Sequence, residues 1–154
     1  MDNQKPAWHL AQANLAQMRA PLDHPSMSGF VGQLEAVNAA ADAAPGFVWR
    51  LQTNEGDATS IRAFDDDALL LNASVWTTVD ALRHYVYQGA HLGPFRDRKQ
   101  WFLPLDRPPL VLWWVPAGHL PTVEECVERL DRIRDHGPGP TAFTFKRRFP
   151  PPVR

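Results

Sequence analysis

Apolar and polar residues alternate along residues 8–18, WHLAQANLAQM, and this period of two predicts a first β-strand. The proline that follows His24 introduces a different pattern, in which apolar residues recur every three or four positions from 26 to 43. That spacing is typical of an amphipathic helix, which the Pro45-Gly46 pair is expected to end. The first third of the chain therefore predicts a strand followed by a helix.

The same alternation of strand and helix recurs in the middle of the chain. Its predicted elements are a strand at 47–53, a strand at 69–76, a helix from Val79 to about His91 that resumes through Trp101, and a strand at 110–115. Thr77 or Thr78 is expected to cap this helix, and Gly93-Pro94 is expected to kink it. Two successive βαβ units form the split arrangement of ferredoxin-like folds. We therefore expect an α+β fold with a four-stranded antiparallel sheet and both helices on one face.

The predicted strands are apolar on both faces, whereas two helices cover only one. In the third strand, leucine, alanine and valine residues alternate with Leu70, Ser74 and Trp76. In the second strand, strict alternation would place Phe47 and Trp49 on one face. A sheet with a bare apolar face is expected to pack on another protein surface, most simply a second copy. The pattern therefore predicts a homodimer that forms through the sheet face.

The C-terminal residues 117–148 are predicted to form an appendix to this core. Thr122 and Glu125 form a capping box, which predicts a helix at 123–136. The apolar stripe of that helix is expected to contain Val123, Val127, Leu130 and Ile133. Residues 142–149 are a candidate extra edge strand. The domain boundaries are predicted as follows: one domain at 6–148, with its core at 8–116 and the appendix at 117–148, and a flexible tail at 149–154.

Composition narrows the classes of function. The 154 residues carry 16 basic and 17 acidic side chains, and a net charge of -1 gives no electrostatic footprint for a nucleic acid or an anionic membrane. No apolar run reaches the roughly 20 residues of a membrane-spanning helix, and residues 1–8 lack the apolar segment of a secretory signal. The single cysteine, Cys126, excludes an intrachain disulfide and is expected to be a buried thiol. We therefore expect a cytoplasmic protein without a nucleic-acid or membrane partner.

Candidate chemistry lies in polar side chains within the apolar strands. The chain has no glycine-rich phosphate loop, Gly-x-Ser-x-Gly, paired Cys-x-x-Cys or His-Glu-x-x-His motif. Asn72, Ser74 and Trp76 share one face of the third strand, and Asn14 lies within the first. A buried asparagine either bonds to the protein or presents its amide to a ligand, and both interpretations stay open. Arg50 likewise either neutralises an anionic substrate or forms an edge salt bridge.

One face of the long predicted helix carries His84, Tyr87, Gln88 and His91. Two histidines seven positions apart, with no carboxylate between them at i+4, do not make a metal site, so we expect no metal. This face is expected to be exposed or to lie at a dimer seam. His91 is the exception, because a kink at Gly93-Pro94 would turn its imidazole inward, where it could act as a base.

Residues 74–102, SVWTTVDALRHYVYQGAHLGPFRDRKQWF, resemble a known superfamily. A strand ending in Trp, a threonine-capped helix and an Ala-His pair in that helix are similar to the dimeric α/β-barrel proteins. These include the antibiotic-biosynthesis monooxygenases, the heme-degrading monooxygenases and the relatives of chlorite dismutase. The segments HLAQANLAQMRAPLD, PGFVWRLQ, LLLNASVW and VLWWVPAGHLPT look most similar to a bacterial branch classed as a domain of unknown function. The resemblance spans about residues 8–148 and implies the ferredoxin-like, dimer-forming fold.

Two functional patterns of that superfamily match positions of this chain. Cofactor-independent anthrone-type monooxygenases pair an Asn and a Trp four apart on a strand, which Asn72 and Trp76 resemble. Heme-degrading members use an Asn on the first strand and a His on the long helix, which Asn14 and His91 resemble. Their helix tryptophan is missing, since Ala81-Leu82 stands about ten positions before His91. The resemblance therefore implies chemistry without a bound cofactor and argues against heme cleavage, though not against heme or tetrapyrrole binding.

Three hypotheses of function follow. The first is a cofactor-independent monooxygenase-like or cyclase-like enzyme for an aromatic or polyketide-like substrate, with Asn72, Trp76 and His91 as catalytic residues. His91 would accept a proton while Asn72 stabilises an enolate oxygen. Its substrate-binding residues are expected to be Asn14, Trp49, Arg50 and Trp113, with the tryptophans as dry aromatic walls. The second is a heme or tetrapyrrole protein ligated by His91, and the third is a non-enzymatic ligand-binding or structural dimer.

Overall fold

The computed structural model describes residues 7–52, 68–89, 98–105 and 109–152. The strands within these ranges are β1 (Trp8–Met18), β2 (Phe47–Arg50), β3 (Leu69–Trp76), β4 (Phe102–Leu103) and β5 (Leu110–Pro116). The helices are α1 (Ser28–Asp42), α2 (Val79–Gly89) and α3 (Val123–His136), with 3-10 turns at Pro25–Met27 and Arg98–Gln100. The described elements therefore follow the predicted order of strand, helix, strand, then strand, helix, strand, with the short β4 added before β5.

β1 lies at the centre of the sheet. It pairs antiparallel with β3 on one side and with β5 on the other, and β2 pairs antiparallel with the outer side of β3. The order β2-β3-β1-β5 is that of a ferredoxin-like split βαβ fold, which confirms the predicted fold class. The two-residue β4 pairs with Gln17 and Met18, beyond the part of β1 that pairs with β5.

Each face of the sheet carries apolar side chains that pack against helices. The first, here called the α1/α2 face, carries Leu10, Trp76 and Leu112, which pack with α2 residues such as Leu82 and Tyr85. The other, here called the α3 face, carries side chains that are at most 5% exposed. These are Ala11, Ala13, Leu15, Leu71, Ala73, Val75, Val111, Trp113 and Val115.

The α3 face is covered by the chain itself. Cys126, Leu130 and Ile133 of α3 are buried against it and belong to the same apolar cluster. The expectation that this face would be left bare is therefore wrong, because the segment interpreted as an appendix supplies the missing layer. A second copy that packed directly on this face would have to displace α3. The homodimer itself stays a prediction, but a bare apolar face of the sheet no longer supports it.

Helix boundaries follow the local chemistry of the sequence. Pro25 opens the turn that leads into α1, and the ring nitrogen Nδ1 of His24 accepts a hydrogen bond from the Ser26 amide at 3.0 Å. The Ala81 amide donates to Thr78 Oγ1 at 3.0 Å, and the Glu125 amide donates to Thr122 Oγ1 at 3.1 Å. The predicted N-caps are thus confirmed, but the Glu125 carboxylate bonds to Trp113 and His119 instead of completing the predicted capping box.

The chain departs from the predicted pattern at β2. The register shifts between Phe47 and Trp49, so that Phe47 pairs with Trp76 and Trp49 pairs with Val75. A bulge adds one residue to the strand and reverses the alternation. Phe47 therefore packs on the α1/α2 face and Trp49 on the α3 face, whereas strict alternation had placed them together.

Two further boundaries differ from the prediction. Arg98–Gln100 form a 3-10 turn and β4 begins at Phe102, so no α-helix ends at Trp101. The rest of the predicted resumed helix, with Gly93-Pro94, lies outside the described residues. Near the C-terminus, only Phe143 bridges to β5, through two 2.8 Å backbone hydrogen bonds with Leu112. Phe149, predicted to start a flexible tail, accepts a hydrogen bond from Trp114 Nε1 at 2.9 Å. Its ring also packs against Phe143.

Candidate functional site

A chain of hydrogen-bonded polar side chains crosses the middle of the α1/α2 face. Asn14 Nδ2 donates to Gln12 Oε1 at 3.0 Å, and Gln12 Nε2 donates to Ser74 Oγ at 2.8 Å. The indole N–H of Trp76 donates to the same Ser74 oxygen, also at 2.8 Å. Gln12 and Ser74 are 5% and 7% exposed, so these bonds satisfy polar groups that would otherwise be costly to bury.

Trp76 is enclosed by other aromatic residues. Its ring stacks on Tyr85 of α2, with 5.3 Å between centroids, and Phe47 of β2 packs edge-on against it at 5.4 Å. Only 1% of Trp76 is exposed and its single polar atom is bound to Ser74. The expectation that Trp76 forms an open pocket wall is therefore wrong: it is a core residue that holds the polar chain in place.

Asn72 is the accessible member of the predicted group. It is exposed and lies directly opposite Asn14 in the pairing of β1 with β3. Within the described part of the chain, no hydrogen bond engages the Asn72 side chain. Opposite residues of an antiparallel pair have Cβ atoms about 4.5–5.5 Å apart. The two carboxamides therefore lie close enough to contact the same ligand group.

Arg50 lies on the α1/α2 face, opposite Ser74 in the pairing of β2 with β3. Its Nε donates to Asp42 Oδ1 at 2.8 Å, and its Nη2 contacts Asp42 Oδ2 at 3.3 Å. This carboxylate at the C-terminal end of α1 already neutralises the guanidinium. The geometry thus favours the salt-bridge interpretation of Arg50 over anion binding.

Tyr85 joins α2, α1 and the sheet. Its hydroxyl donates to the backbone carbonyl of Val37 in α1 at 3.2 Å, while its ring stacks on Trp76. Burial raises the pKa of the Tyr85 hydroxyl; the nearby Arg50 opposes this effect and Asp42 adds to it. Tyr85 therefore stays protonated at neutral pH and acts as a hydrogen-bond donor.

Trp49 and Trp113 are separated from this group by the sheet. Trp113 pairs with Ala11 of β1 and lies fully buried on the α3 face, where Trp49 also packs. The indole N–H of Trp113 donates to Glu125 Oε2 of α3 at 2.9 Å. The structure therefore does not bring these two tryptophans together with Asn72, and the expected common aromatic pocket is wrong.

The predicted base, His91, lies outside the described residues. On the same helix face, His84 and Tyr87 are exposed, Tyr87 by 55%, as the pattern predicts. The opposite face of α2 carries the buried Val79 and Leu82. The orientation of α2 is thus confirmed.

Two residues of the helices that cover this face, Tyr85 and Gln33, give no clear signal in the sequence pattern. Tyr85 lies between His84 and Val86 in α2. A tyrosine occurs on the buried face and on the exposed face of amphipathic helices, so the hydrophobic stripe of α2 does not predict its position. Gln33 of α1 was overlooked because a single polar residue on an apolar helix face looks incidental. Its Oε1 is buried and accepts no hydrogen bond within the described ranges.

Family comparison adds one firm result. The model of a family described as "Domain of unknown function (DUF3291)" matches residues 9–154. The chain belongs to the DUF3291 family. No curated protein matches this DUF3291 chain.

Two solved structures of SnoaB are similar to the DUF3291 chain, and SnoaB is described as a cofactor-independent oxygenase from Streptomyces nogalater. One, a mutant, is 18% identical with a TM-score of 0.46; the other is 19% identical with a TM-score of 0.45. Both alignments cover 73% of this chain and 95% of SnoaB. A similarity of this degree does not extend to function.

Two features of this DUF3291 chain concern metal ions and membranes. Among the described residues, no group of three or more His, Cys, Asp or Glu side chains is arranged to hold a metal ion. Within the same residues, no helix is both long enough and apolar enough to cross a bilayer.

Proposed function

We propose that this chain binds a small aromatic molecule on the α1/α2 face and acts on it as a cofactor-independent monooxygenase-like or cyclase-like enzyme. The supporting observation is the exposed amide of Asn72, which lies beside Asn14 and has no hydrogen-bond partner among the described residues. An amide in this position can orient a ligand oxygen by donating N–H and accepting O–H. The resemblance of Asn72 and Trp76 to the anthrone-type pair supports the same chemistry.

The proposed reaction uses the substrate as its own reductant. A base removes a proton from the methylene carbon of an anthrone-like molecule, and the enolate oxygen accepts a hydrogen bond from Asn72. The carbanion then transfers electrons to molecular oxygen and forms a carbon–oxygen bond. Loss of water from the resulting peroxide leaves a new carbonyl, so one oxygen atom enters the product and the other leaves as water. His91 stays the proposed base.

Trp76, expected from the sequence to be a catalytic residue, has an indirect role in this proposal. Because it is covered by Tyr85 and Phe47, it acts as a positioning residue, through Ser74, rather than as a residue that contacts the substrate. Ser74 and Gln12 transmit this constraint to Asn14, the anchored neighbour of Asn72. Asn14 thereby offers a fixed second carboxamide beside the Asn72 donor, and a preorganised group needs no reorganisation during the reaction.

Turnover of anthrone and quinol substrates under oxygen tests the proposal. We expect the wild-type chain to convert at least one of them, with Asn72→Ala slower by about 100-fold, the lower end of what losing one such donor costs. Gln100→Ala, which removes an exposed carboxamide from the 3-10 turn at 98–100, should keep the wild-type rate. If wild type is no faster than Asn72→Ala, the proposal fails.

A non-enzymatic ligand-binding or structural protein is the second candidate. It is favoured by the mutual satisfaction of Gln12, Ser74 and Trp76, which form a closed set of buried hydrogen bonds. It predicts saturable ligand binding without product, or no binding at all. Mass spectrometry of the recovered ligand separates it from the first proposal.

A heme or tetrapyrrole protein is the third candidate, with His91 as the proposed ligand. Titration with hemin would give a Soret band that disappears in His91→Ala. His84→Ala, which removes an exposed histidine of the same helix, should leave the band unchanged. An unchanged band in His91→Ala would contradict the ligand assignment.

A homodimer through the sheet face stays part of the proposal because of the resemblance, and a cytoplasmic location stays with it. The chain's one cysteine, Cys126, is buried and unpaired, which suits a reducing compartment. The position of α3 over the α3 face opposes a direct sheet-to-sheet dimer. Sedimentation equilibrium of the purified chain measures this, and a monomer at all concentrations would remove the dimer from the proposal.

A further inference from the structure

Gln33 of α1 carries a buried acceptor without a donor. Its side-chain Oε1 is inaccessible to solvent and accepts no hydrogen bond from any residue that the structure describes. A buried carbonyl oxygen that loses water without gaining a partner destabilises the folded state. Such an atom in a folded protein calls for an explanation, and a ligand that donates a hydrogen bond is one.

The position of Gln33 follows from the contacts of its neighbours along α1. Three residues before it, Phe30 packs against Trp101 and Phe102, in the cluster that contains Met18 and Leu70 at one end of the α1/α2 face. Four residues after it, the Val37 carbonyl binds the hydroxyl of Tyr85, whose ring lies on Trp76 near the other end. Gln33 therefore lies over the middle of this face.

The sheet residues in the middle of the face are the polar ones. Between Leu70 and Trp76, β3 directs Asn72 and Ser74 to this side, and β1 directs Asn14 and Gln12. Gln12 and Ser74 are already bonded to each other. Of the four polar side chains that β1 and β3 direct to this part of the face, those left to share a ligand with Gln33 are thus the carboxamides of Asn72 and Asn14.

We propose that Gln33 Oε1 accepts a hydrogen bond from the hydroxyl of the bound ligand and that the site selects phenols and enols over their ethers. This rests on the proposed function, since it places the same aromatic ligand between α1 and the two asparagines. One ligand oxygen would donate its O–H to Gln33 and accept an N–H from Asn72. An ether oxygen still accepts from Asn72 but leaves Gln33 unpaired.

A matched pair of ligands isolates this contact. Calorimetric titration would compare 2-naphthol with 2-methoxynaphthalene on wild type, Gln33→Met and Asn72→Ala, with Gln100→Ala as the control. We expect wild type to prefer the naphthol by about tenfold, the scale of one hydrogen bond in a dissociation constant. Gln33→Met keeps the length of the side chain. It should bring the ratio of the two dissociation constants close to one, because it weakens the binding of 2-naphthol and leaves that of 2-methoxynaphthalene unchanged. Asn72→Ala should weaken both ligands.

Thermal unfolding separates recognition from a structural role. Because Gln33→Met removes an unpaired acceptor from a buried place, its Tm should equal or exceed that of wild type. If Gln33→Met keeps the wild-type preference while Asn72→Ala weakens both ligands, the role of Gln33 is overturned and the proposed binding site stands. If wild type binds neither ligand, the binding site and the role of Gln33 both fall.

Discussion

Asn14 and Asn72 lie directly opposite each other where β1 pairs with β3, yet their surroundings differ. Asn14 is half-buried and bonded to Gln12, whereas Asn72 is exposed. One amide is thus fixed by a buried hydrogen-bond chain and its neighbour is available to a ligand. The contrast predicts different consequences for stability and for binding when residues of this row are changed.

Ser74→Ala should destabilise the fold strongly. It would leave the buried N–H groups of Gln12 and Trp76 without their acceptor, and each such group costs about 1–3 kcal/mol. We expect a loss on the order of 2 kcal/mol or more in the free energy of unfolding, measured in urea. Asn72→Ala, an exposed change two residues away, should stay within about 0.5 kcal/mol of wild type. Equal stabilities for the two variants would contradict the buried chain.

Gly46→Ala should be far more costly than Gly118→Ala. Both glycines have a positive φ, 83° and 96°, so each substitution carries the strain of that conformation, roughly 1–2 kcal/mol. Only at Gly46 would the new Cβ lie 2.5 Å from Ala81 Cβ and 2.8 Å from Thr77 Oγ1, whereas it meets nothing within 4 Å at Gly118. The difference between the two Tm values measures the steric effect of the close approach between Gly46, which directly precedes β2, and α2. A larger loss at Gly118 would refute it.

Glu125 should make stability depend on acid. Partial burial alone would raise the pKa of this carboxyl. Hydrogen bonds from His119 at 2.7 Å and from Trp113 at 2.9 Å outweigh the burial, and the charge of Arg129 adds to their effect. The pKa of Glu125 therefore lies below its ordinary value of 4.5. The folded state thus favours the carboxylate, so this stabilisation is complete above pH 4.5 and is lost as the pH falls through the lower, folded-state pKa.

Urea unfolding at a series of pH values checks this dependence. Glu125→Gln should lose most of the decrease in stability below pH 4.5. Glu124→Gln removes the same charge from the adjacent, exposed residue and should retain the decrease. The same acid dependence in both variants would show that the Glu125 contacts do not contribute.

Cys126 should be inert in the folded protein. Burial, with a further contribution from the charge of Glu125, raises the pKa of its thiol to about 12, so almost no thiolate exists at neutral pH. Reaction with a thiol reagent should therefore proceed only as fast as the protein opens, and urea should accelerate it. A Gln100→Cys variant, with its exposed second thiol, should show one fast and one slow equivalent. A fast reaction of the wild-type thiol would contradict the burial.

Hydrophobic periodicity predicts this fold well because its elements follow simple local rules. The alternation through β1 and the caps at Thr78 and Thr122 place the elements where they occur. The pattern fails at the β2 bulge, because one extra residue places Phe47 and Trp49 on opposite faces of the sheet without any change in composition. Such a bulge depends on pairing with β3, which local sequence does not encode.

The site was predictable only in part, since burial depends on contacts between distant elements. The alternation in β3 places Asn72, Ser74 and Trp76 on one face, as the structure has them. That Tyr85 covers Trp76 depends on how α2 packs on the sheet. Likewise, the apolar stripe of α3 was visible, but its docking on the α3 face, with Cys126 rather than Val127 buried, follows from long-range packing.

Binding of a ligand oxygen by Asn72 beside Asn14 is tested most directly by nuclear magnetic resonance of the ¹⁵N-labelled chain during titration with 2-naphthol. We predict saturable shifts of the side-chain NH₂ signals of both asparagines with one common dissociation constant, while the NH₂ signal of Gln100 stays in place. Saturable binding that leaves the Asn72 and Asn14 signals unmoved would contradict the proposed site.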